Sequence, residues 1–285
     1  MNSDQSQRFL FSDTDIRGEW VHLSSAFLDA TAPHYYPNAV NSLLGEFMAA
    51  SALLGSTLKF DGTLTLQARA DSALSLIMAE YNHNRSLRCI AQHEPDLVSQ
   101  EFSQLLGNGT LALTIDPADG QRYQGVVPLQ GENLAQAIAY YYEQSEQIPT
   151  CLVLASNDTS AAGIMIQALP ASDNVDTETR QRLWQDVEAL VGTITAAELL
   201  KTDPETLLYR LFHQESLMLY PANPLRFECS CSQQRIENTV LTIGEAEARD
   251  IIEEQGSISA TCEFCNTQYS LSDTDLTRLF PPSSH

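Results

Sequence analysis

Cys229-Ser230-Cys231 and, thirty residues further on, Cys262-Glu263-Phe264-Cys265 form two tight cysteine clips near the end of a chain of 285 residues. Two clips joined by a loop of that size can set four sulfurs around one ion. Zinc prefers that arrangement: tetrahedral, thiolate-bound, with metal–sulfur bonds of about 2.3 Å. No histidine lies in or beside the clips, the nearest being His213 and His285. The expected first shell is four sulfurs with no open position, which argues against a catalytic zinc. The C-x-C is unusual, because structural zinc ribbons mostly repeat C-x-x-C. A module of about 55 residues built around these clips is marginal without a metal.

Outward from the clips, composition narrows the function. Hydrophobic residues make up 43% of the chain and charged residues 18%, a soluble globular profile. No apolar run approaches the ~18–20 residues of a membrane span. Residues 1–6 carry neither a basic start nor an apolar stretch, so a cytoplasmic chain with reduced thiols is expected. Clustered cysteines there mean metal or redox chemistry rather than structural disulfides. The net charge is −22, and Lys59 and Lys201 are the only lysines. From Cys229 onward there are nine acidic side chains against three arginines. A four-thiolate zinc site would add two more negative charges. Nucleic-acid binding needs basic residues to replace counterions, so neither nucleic acid nor membrane is expected as a partner.

The periodicities predict an α+β fold. Strands are expected at 8–11, 16–23, 74–80, 87–92, 111–115, 123–129, 151–155 and 164–169, with a hairpin at 58–66 turning on Asp61-Gly62. Helices are expected at 39–54 and 134–142. After Pro170 a loop at 171–174 leads to a helical stripe of Leu183, Val187, Leu190, Val191 and Ile194, then short helices at 196–200 and 205–212. Beyond the first clip, 236–243 reads as helix or strand, 245–255 as helix and 257–261 as a strand leading into the second clip; 269–271 and 273–280 complete the module. The expected organisation is a mixed or antiparallel sheet domain with helices over 1–170, a helical linker over 171–226, and a small four-cysteine zinc-binding module over 227–285.

On these residues the chain resembles the redox-regulated 33-kDa heat-shock chaperone family of bacteria, over nearly its whole length. The likeness runs through Arg17-Gly18-Glu19, Tyr36-Pro37, Leu43-Leu44-Gly45-Glu46, Thr57-Leu58-Lys59-Phe60-Asp61-Gly62 and Tyr123-Gln124-Gly125-Val126-Val127. It continues in Ser145-Glu146-Gln147-Ile148-Pro149-Thr150 and Leu208-Tyr209-Arg210-Leu211-Phe212-His213, and ends in the two clips. The chain departs from the family at Ala70-Asp71-Ser72-Ala73, where a Gly-rich turn is common, and in a short connection between Ala155 and Ile164.

The resemblance implies a stress-response holdase that needs no ATP. Reduced, it carries one zinc on Cys229, Cys231, Cys262 and Cys265 and is inactive. Oxidants form two disulfides, release zinc and unfold the module with its linker, and the active form binds unfolding client proteins and commonly dimerises. The resolving thiols would be sequence neighbours, so the expected pairs are Cys229–Cys231 and Cys262–Cys265. Client-contact residues are not readable from the sequence.

Blander readings stand beside these. The four cysteines can form a static ribbon, or stabilise an adaptor that oxidation merely inactivates. Cys262 and Cys265 can serve a thiol–disulfide oxidoreductase, although no thioredoxin-like unit surrounds them. Cys89 and Cys151 sit in apolar runs and read as buried core. His34 and His213 lack a second ligand at suitable spacing, and Tyr140-Tyr141-Tyr142 reads as helix packing. No Walker A loop, nucleophile elbow or dinucleotide fingerprint points to an enzyme.

Overall fold

The structure is a computed structural model that describes residues 4–12, 14–58, 61–97, 101–170 and 176–281. It divides into two compact units, Met1–Glu228 and Cys229–His285. The first opens with strands β1 (Gln5–Phe11) and β2 (Ile16–Leu23) and helices α1 (Ser25–Thr31) and α2 (Asn38–Thr57). Strands β3 (Gly62–Arg69), β4 (Leu74–Asn82) and β5 (Ser86–His93) precede helix α3 (Phe102–Leu106), and β6 (Thr110–Pro117) and β7 (Tyr123–Pro128) follow it. Helix α4 (Leu134–Tyr141) runs into a π turn (Tyr142–Glu146) and then the hairpin of β8 (Thr150–Ser156) and β9 (Ala161–Ala168). Helices α5 (Thr177–Val191), α6 (Ala196–Lys201) and α7 (Pro204–Phe212) are succeeded by short strands β10 (Leu217–Leu219), β11 (Asn223–Pro224) and β12 (Arg226–Phe227).

Two six-stranded sheets result. One has the order β10-β1-β2-β9-β8 with β11 also on β1, the other β12-β5-β4-β3-β6-β7. Every pairing is antiparallel except β12 with β5. Helix α2 lies between the sheets, touching β2, β8 and β9 on one side and β3, β4 and β5 on the other. That position explains why it is apolar on nearly all faces: a helix with no solvent side is buried throughout. It also explains two glycines in its interior, each costing about 1 kcal/mol of helix propensity. A Cβ on Gly45 would lie 2.2 Å from Ser156 Oγ in the first sheet, and one on Gly55 would lie 2.2 Å from the Tyr81 ring in the second.

Glu46 faces a cavity of about 490 Å³ lined also by Asn38, Ser42, Asn133 and Ser156. Burial alone pushes its carboxyl up to about 7. An acid whose pKa is raised by folding binds its proton more tightly in the folded state. Its stabilising share is complete below about pH 4.5 and is lost as pH climbs through about 7. Glu46→Gln is therefore expected to raise the melting temperature at about pH 8, by the equivalent of about 1–3 kcal/mol, and to leave it nearly unchanged at about pH 5. Thermal melts at both pH values check this, and equal shifts at the two would rule it out.

The expected strands and helices of this unit form, with one correction. No hairpin turns at Asp61-Gly62: α2 runs on to Thr57, and Gly62 opens β3, which pairs with β4 and β6. The last turn of α2 stays helical because its flanks are packed on both sheets, which outweighs the local Asp-Gly turn signal. Lys59, Phe60 and the loop expected at 171–174 lie outside the described residues.

Helices α5, α6 and α7 form a layer on the outer face of the first sheet. Each has a side-chain N-cap: Asp176 accepts from Thr179 N, Thr195 makes a reciprocal capping box with Glu198, and Asp203 precedes Pro204 at the first helical position. Leu183, Val187, Val191, Ile194, Leu199, Leu207, Leu208 and Phe212 are buried against Phe9, Phe11, Ile16, Trp20, Ile164 and Ile166. The Phe11 and Phe212 rings meet edge to face at 5.0 Å. Leu190, read as part of the buried stripe, is instead 37% exposed, because the 3.6-residue period that buries Val187 and Val191 turns it outward. The chain then returns to the same sheet through β10 and β11, so these helices pack within the first unit.

The second unit holds α8 (Gln233–Ile243), α9 (Glu245–Gln255), the hairpin β13 (Ile258–Thr261) with β14 (Gln268–Leu271), and α10 (Asp273–Leu279). The ambiguous 236–243 run is helical. Its buried apolar residues are Val240, Ala248, Ile258, Leu271 and Leu276. So small a core is weak for an independent fold. Arg278 adds a salt bridge to the buried Glu237 at 2.6 Å. No described helix is long and apolar enough to cross a membrane.

Candidate metal centre

The first clip precedes α8, whose N-cap Ser232 follows Cys231 directly and accepts from Arg235 N at 3.3 Å. The Arg235 guanidinium donates back to Ser230 Oγ at 3.0 Å, tying the middle residue of the clip to the helix. The second clip is the turn of the β13–β14 hairpin. There Asn266 N donates to Cys262 O at 2.8 Å and Cys262 N to Thr267 O at 2.9 Å, with Asn266 in a left-handed conformation at φ 54°. That tight turn points both sulfurs to one side.

All four Sγ atoms lie within 4.8 Å of one another. Bonds of about 2.3 Å to a tetrahedral ion would separate the sulfurs by about 3.8 Å. Cys229 lies 3.6 Å from Cys262 and Cys231 lies 3.4 Å from Cys265, Sγ to Sγ. The spacing and the all-sulfur donor set fit a single soft, tetrahedral cation. Among the described residues this is the only group of three or more His, Cys, Asp or Glu able to hold a metal ion; His34 and His213 take no part.

Residues that the spacing did not reveal shape the site. Tyr269 OH donates to Cys231 Sγ at 3.0 Å, and Thr267 Oγ1 lies 3.2 Å from Cys265 Sγ. Burial works to raise the Cys265 thiol, but hydrogen bonds with Thr267, Cys231 and Cys229 together hold it below its ordinary range. Burial instead raises Cys229. The signal for both neighbours was their place in the hairpin that carries the clip, which only a register could supply.

The remaining cysteines lie elsewhere. Cys89 is fully buried in the second sheet, and Cys151 in β8 is only half-buried, since β8 ends its sheet. Burial pushes both thiols up to about 12, with Glu188 adding to the effect at Cys151. Neither offers a thiolate near neutrality. Cys89→Ser and Cys151→Ser are each expected to leave oxidative disulfide formation at the four-cysteine site unchanged. Peptide mapping after peroxide treatment checks this, and a disulfide pattern altered by either change would contradict it.

Comparison with known proteins follows the same lines. The family model described as Hsp33 protein matches residues 4–272. Proteins named 33 kDa chaperonin are similar along the chain. That of Pseudomonas aeruginosa is 45% identical over 282 residues, covering 98% of this chain and 95% of the relative. That of Ectopseudomonas mendocina is 46% identical over 281 residues, with the same coverages. The crystal structure of a 33 kDa chaperonin from Thermotoga maritima superposes with a TM-score of 0.84 over 97% of each chain at 20% identity, which shows a shared fold. The class is thus that of a chaperone and not of an enzyme. Within that class the chain belongs to the Hsp33 family.

Proposed function

We propose that this chaperone is a redox-switched, ATP-independent holdase of the cytoplasm, inactive while reduced and active once the four cysteines are oxidised. The observation that carries the reading is the four-sulfur cluster in a unit whose own core is small. Cys229, Cys231, Cys262 and Cys265 would hold one zinc per chain. Bound there, the ion would keep the sulfurs as thiolates and supply on the order of 10 kcal/mol to the fold of the module.

The cysteines then carry the redox step. A thiolate attacks hydrogen peroxide, one oxygen is transferred to give a sulfenic acid, and hydroxide leaves. A neighbouring thiol displaces the sulfenic oxygen as water and closes a disulfide. Two peroxides thus form two disulfides and leave no thiolate to hold a cation. In the closed site all four sulfurs lie within 4.8 Å of one another, so proximity there does not choose the pairs. Once the module opens, the thirty residues between clips separate those partners, while clip neighbours stay within reach. Cys229–Cys231 and Cys262–Cys265 are the pairs this favours. Such short loops restore little of the lost stability.

In this reading the 1–170 segment is the folded platform, 171–226 the linker, whose helices over 176–213 are released, and 227–285 the sensor. Unfolding clients are the partners, and oxidised chains associate as dimers. The strongly acidic chain disfavours nucleic acid and anionic membranes. The oxidoreductase alternative is disfavoured because Cys262 and Cys265 sit in a β-hairpin turn, not where a strand opens a helix. The decisive experiment follows aggregation of a thermally unfolding client with reduced and peroxide-treated protein, with zinc release and insulin reduction measured in the same samples. Suppression only after oxidation, with zinc release and no insulin turnover, is expected. Equal suppression by both forms would remove the switch, and insulin turnover would favour the oxidoreductase.

A further inference from the structure

Helix α2 is apolar on nearly every face, and Glu46 is its one charged residue. Asn38, Ser42 and Glu46 recur at every fourth position, so they form one polar stripe along the helix. That stripe lines the cavity of about 490 Å³ beside α2. Leu43 and the α3 residues Phe102 and Leu105 supply apolar wall. Further polar wall comes from Asn133, the N-cap of α4, and from Ser156, Asn157 and Asp158, where β8 turns into β9. Every wall belongs to the two-sheet platform, and none to α5–α7 or the second unit.

Among the described residues the Glu46 carboxyl takes no hydrogen bond and no ion pair. Polar groups withdrawn from water are ordinarily paired, and leaving one unpaired is costly. Burial, with no neighbouring cation to oppose it, is what raises this carboxyl. Asp158, exposed at the rim, is the only other charged group on the wall; no lysine, arginine or histidine lines it. The side-chain oxygens of Asn133 and Asn157 are already engaged, the first by Gln136 N at 2.9 Å and the second by Thr159 N and Ser160 N. Ser42, half-buried one turn from Glu46, has no such engagement among the described residues.

We infer that this cavity is a binding site for a primary aliphatic amine, held as its ammonium ion against Glu46. The ammonium donates to the Glu46 carboxylate, a charge-assisted bond, and Ser42 Oγ on the same helix face accepts a second N–H. The aliphatic stem lies on Leu43, Phe102 and Leu105. Asp158 at the rim and the net charge of −22 draw cations towards the mouth. A hard metal ion would ask for six or more oxygen ligands, whereas the apolar wall suits a carbon stem. Because its walls are all platform, the site is complete whether the outer helices are packed or released, and it does not depend on the holdase reading.

The probe is n-butylamine, titrated at constant ionic strength into the full-length, isotope-labelled chain, reduced and peroxide-treated, with amide resonances followed by NMR. Shifts that saturate at Ser42, Glu46 and Asp158 are expected in both states. n-Butanol, with the same stem and no charge, should bind about tenfold or more weakly. Butylamine is cationic at about pH 5 and at about pH 8, but Glu46 is mostly neutral at the first and mostly ionised at the second, so affinity should fall about tenfold or more at the lower pH. Glu46→Gln should weaken binding about tenfold or more at about pH 8, and so should Ser42→Leu, which keeps the carboxyl and puts a larger side chain into the cavity. Shifts scattered over the acidic surface, equal affinity at the two pH values, or parent-like binding in either variant would overturn the site. Nα-acetyl-lysine amide separates the two sources of such an ammonium. Binding tighter than that of butylamine would support the site with a lysine side chain as its occupant, and weaker binding would support it with a free amine.

Discussion

Cys262→Ser, kept reduced, is expected to bind no zinc and to lose most of the hydrogen-exchange protection across 229–281, while protection in the two sheets of the first unit persists. Three sulfurs remain, but one corner of the tetrahedron is gone. The module then falls back on Val240, Ala248, Ile258, Leu271 and Leu276. Removing on the order of 10 kcal/mol of metal-linked stability from so small a core leaves it unfolded. The measurement is zinc content together with exchange rates by segment. A variant that lost its metal and kept protected β13–β14 amides would show that the module folds by its apolar contacts alone.

The second large effect is expected from Val187→Asp. Val187 is fully buried between α5 and the first sheet, and an unpaired carboxylate there costs several kcal/mol. Helices α6 and α7 have only 6 and 9 residues and α5 has 15, and isolated helices up to ~12–15 residues are marginal in water; packing on Phe9, Trp20 and Ile166 holds them. The variant is expected to release 176–213, expose the apolar face of the sheet, and suppress client aggregation without any oxidant. Light scattering on a heated client under reducing conditions reads the activity, and hydrogen exchange confirms release. A released layer that gave no client protection would show that these helices are not the brake.

Why the clips were legible and other features were not follows from where the information lies. Four sulfurs at fixed short spacings are a local signal, and the structure gathers them as the spacing required. Helices α5–α7 were legible from periodicity and from Pro204, because one face is apolar and the other wet. Strands β10, β11 and β12 were not, since two or three residues carry no period; their partners β1 and β5 define them. The Asp61-Gly62 hairpin failed for the converse reason, a strong local turn signal overruled by two sheets packed on α2. Tyr269 and Thr267 became part of the site only when the hairpin register brought them to Cys231 and Cys265.

The return of the chain through β10 has a consequence for recovery. The helical layer leaves the first sheet at the end of β9 and rejoins it at β10, so the 48 residues 169–216 are anchored to one sheet at both ends. Letting the helices go therefore never sets them adrift. Lengthening a flexible loop raises its closure cost slowly, by about 0.6 kcal/mol per doubling, and a tethered segment faces its own binding face at an effective concentration of order millimolar. Re-docking is a unimolecular search over a short leash. Its rate should be independent of protein concentration, and the resting state can be regained by each chain alone after its client has left.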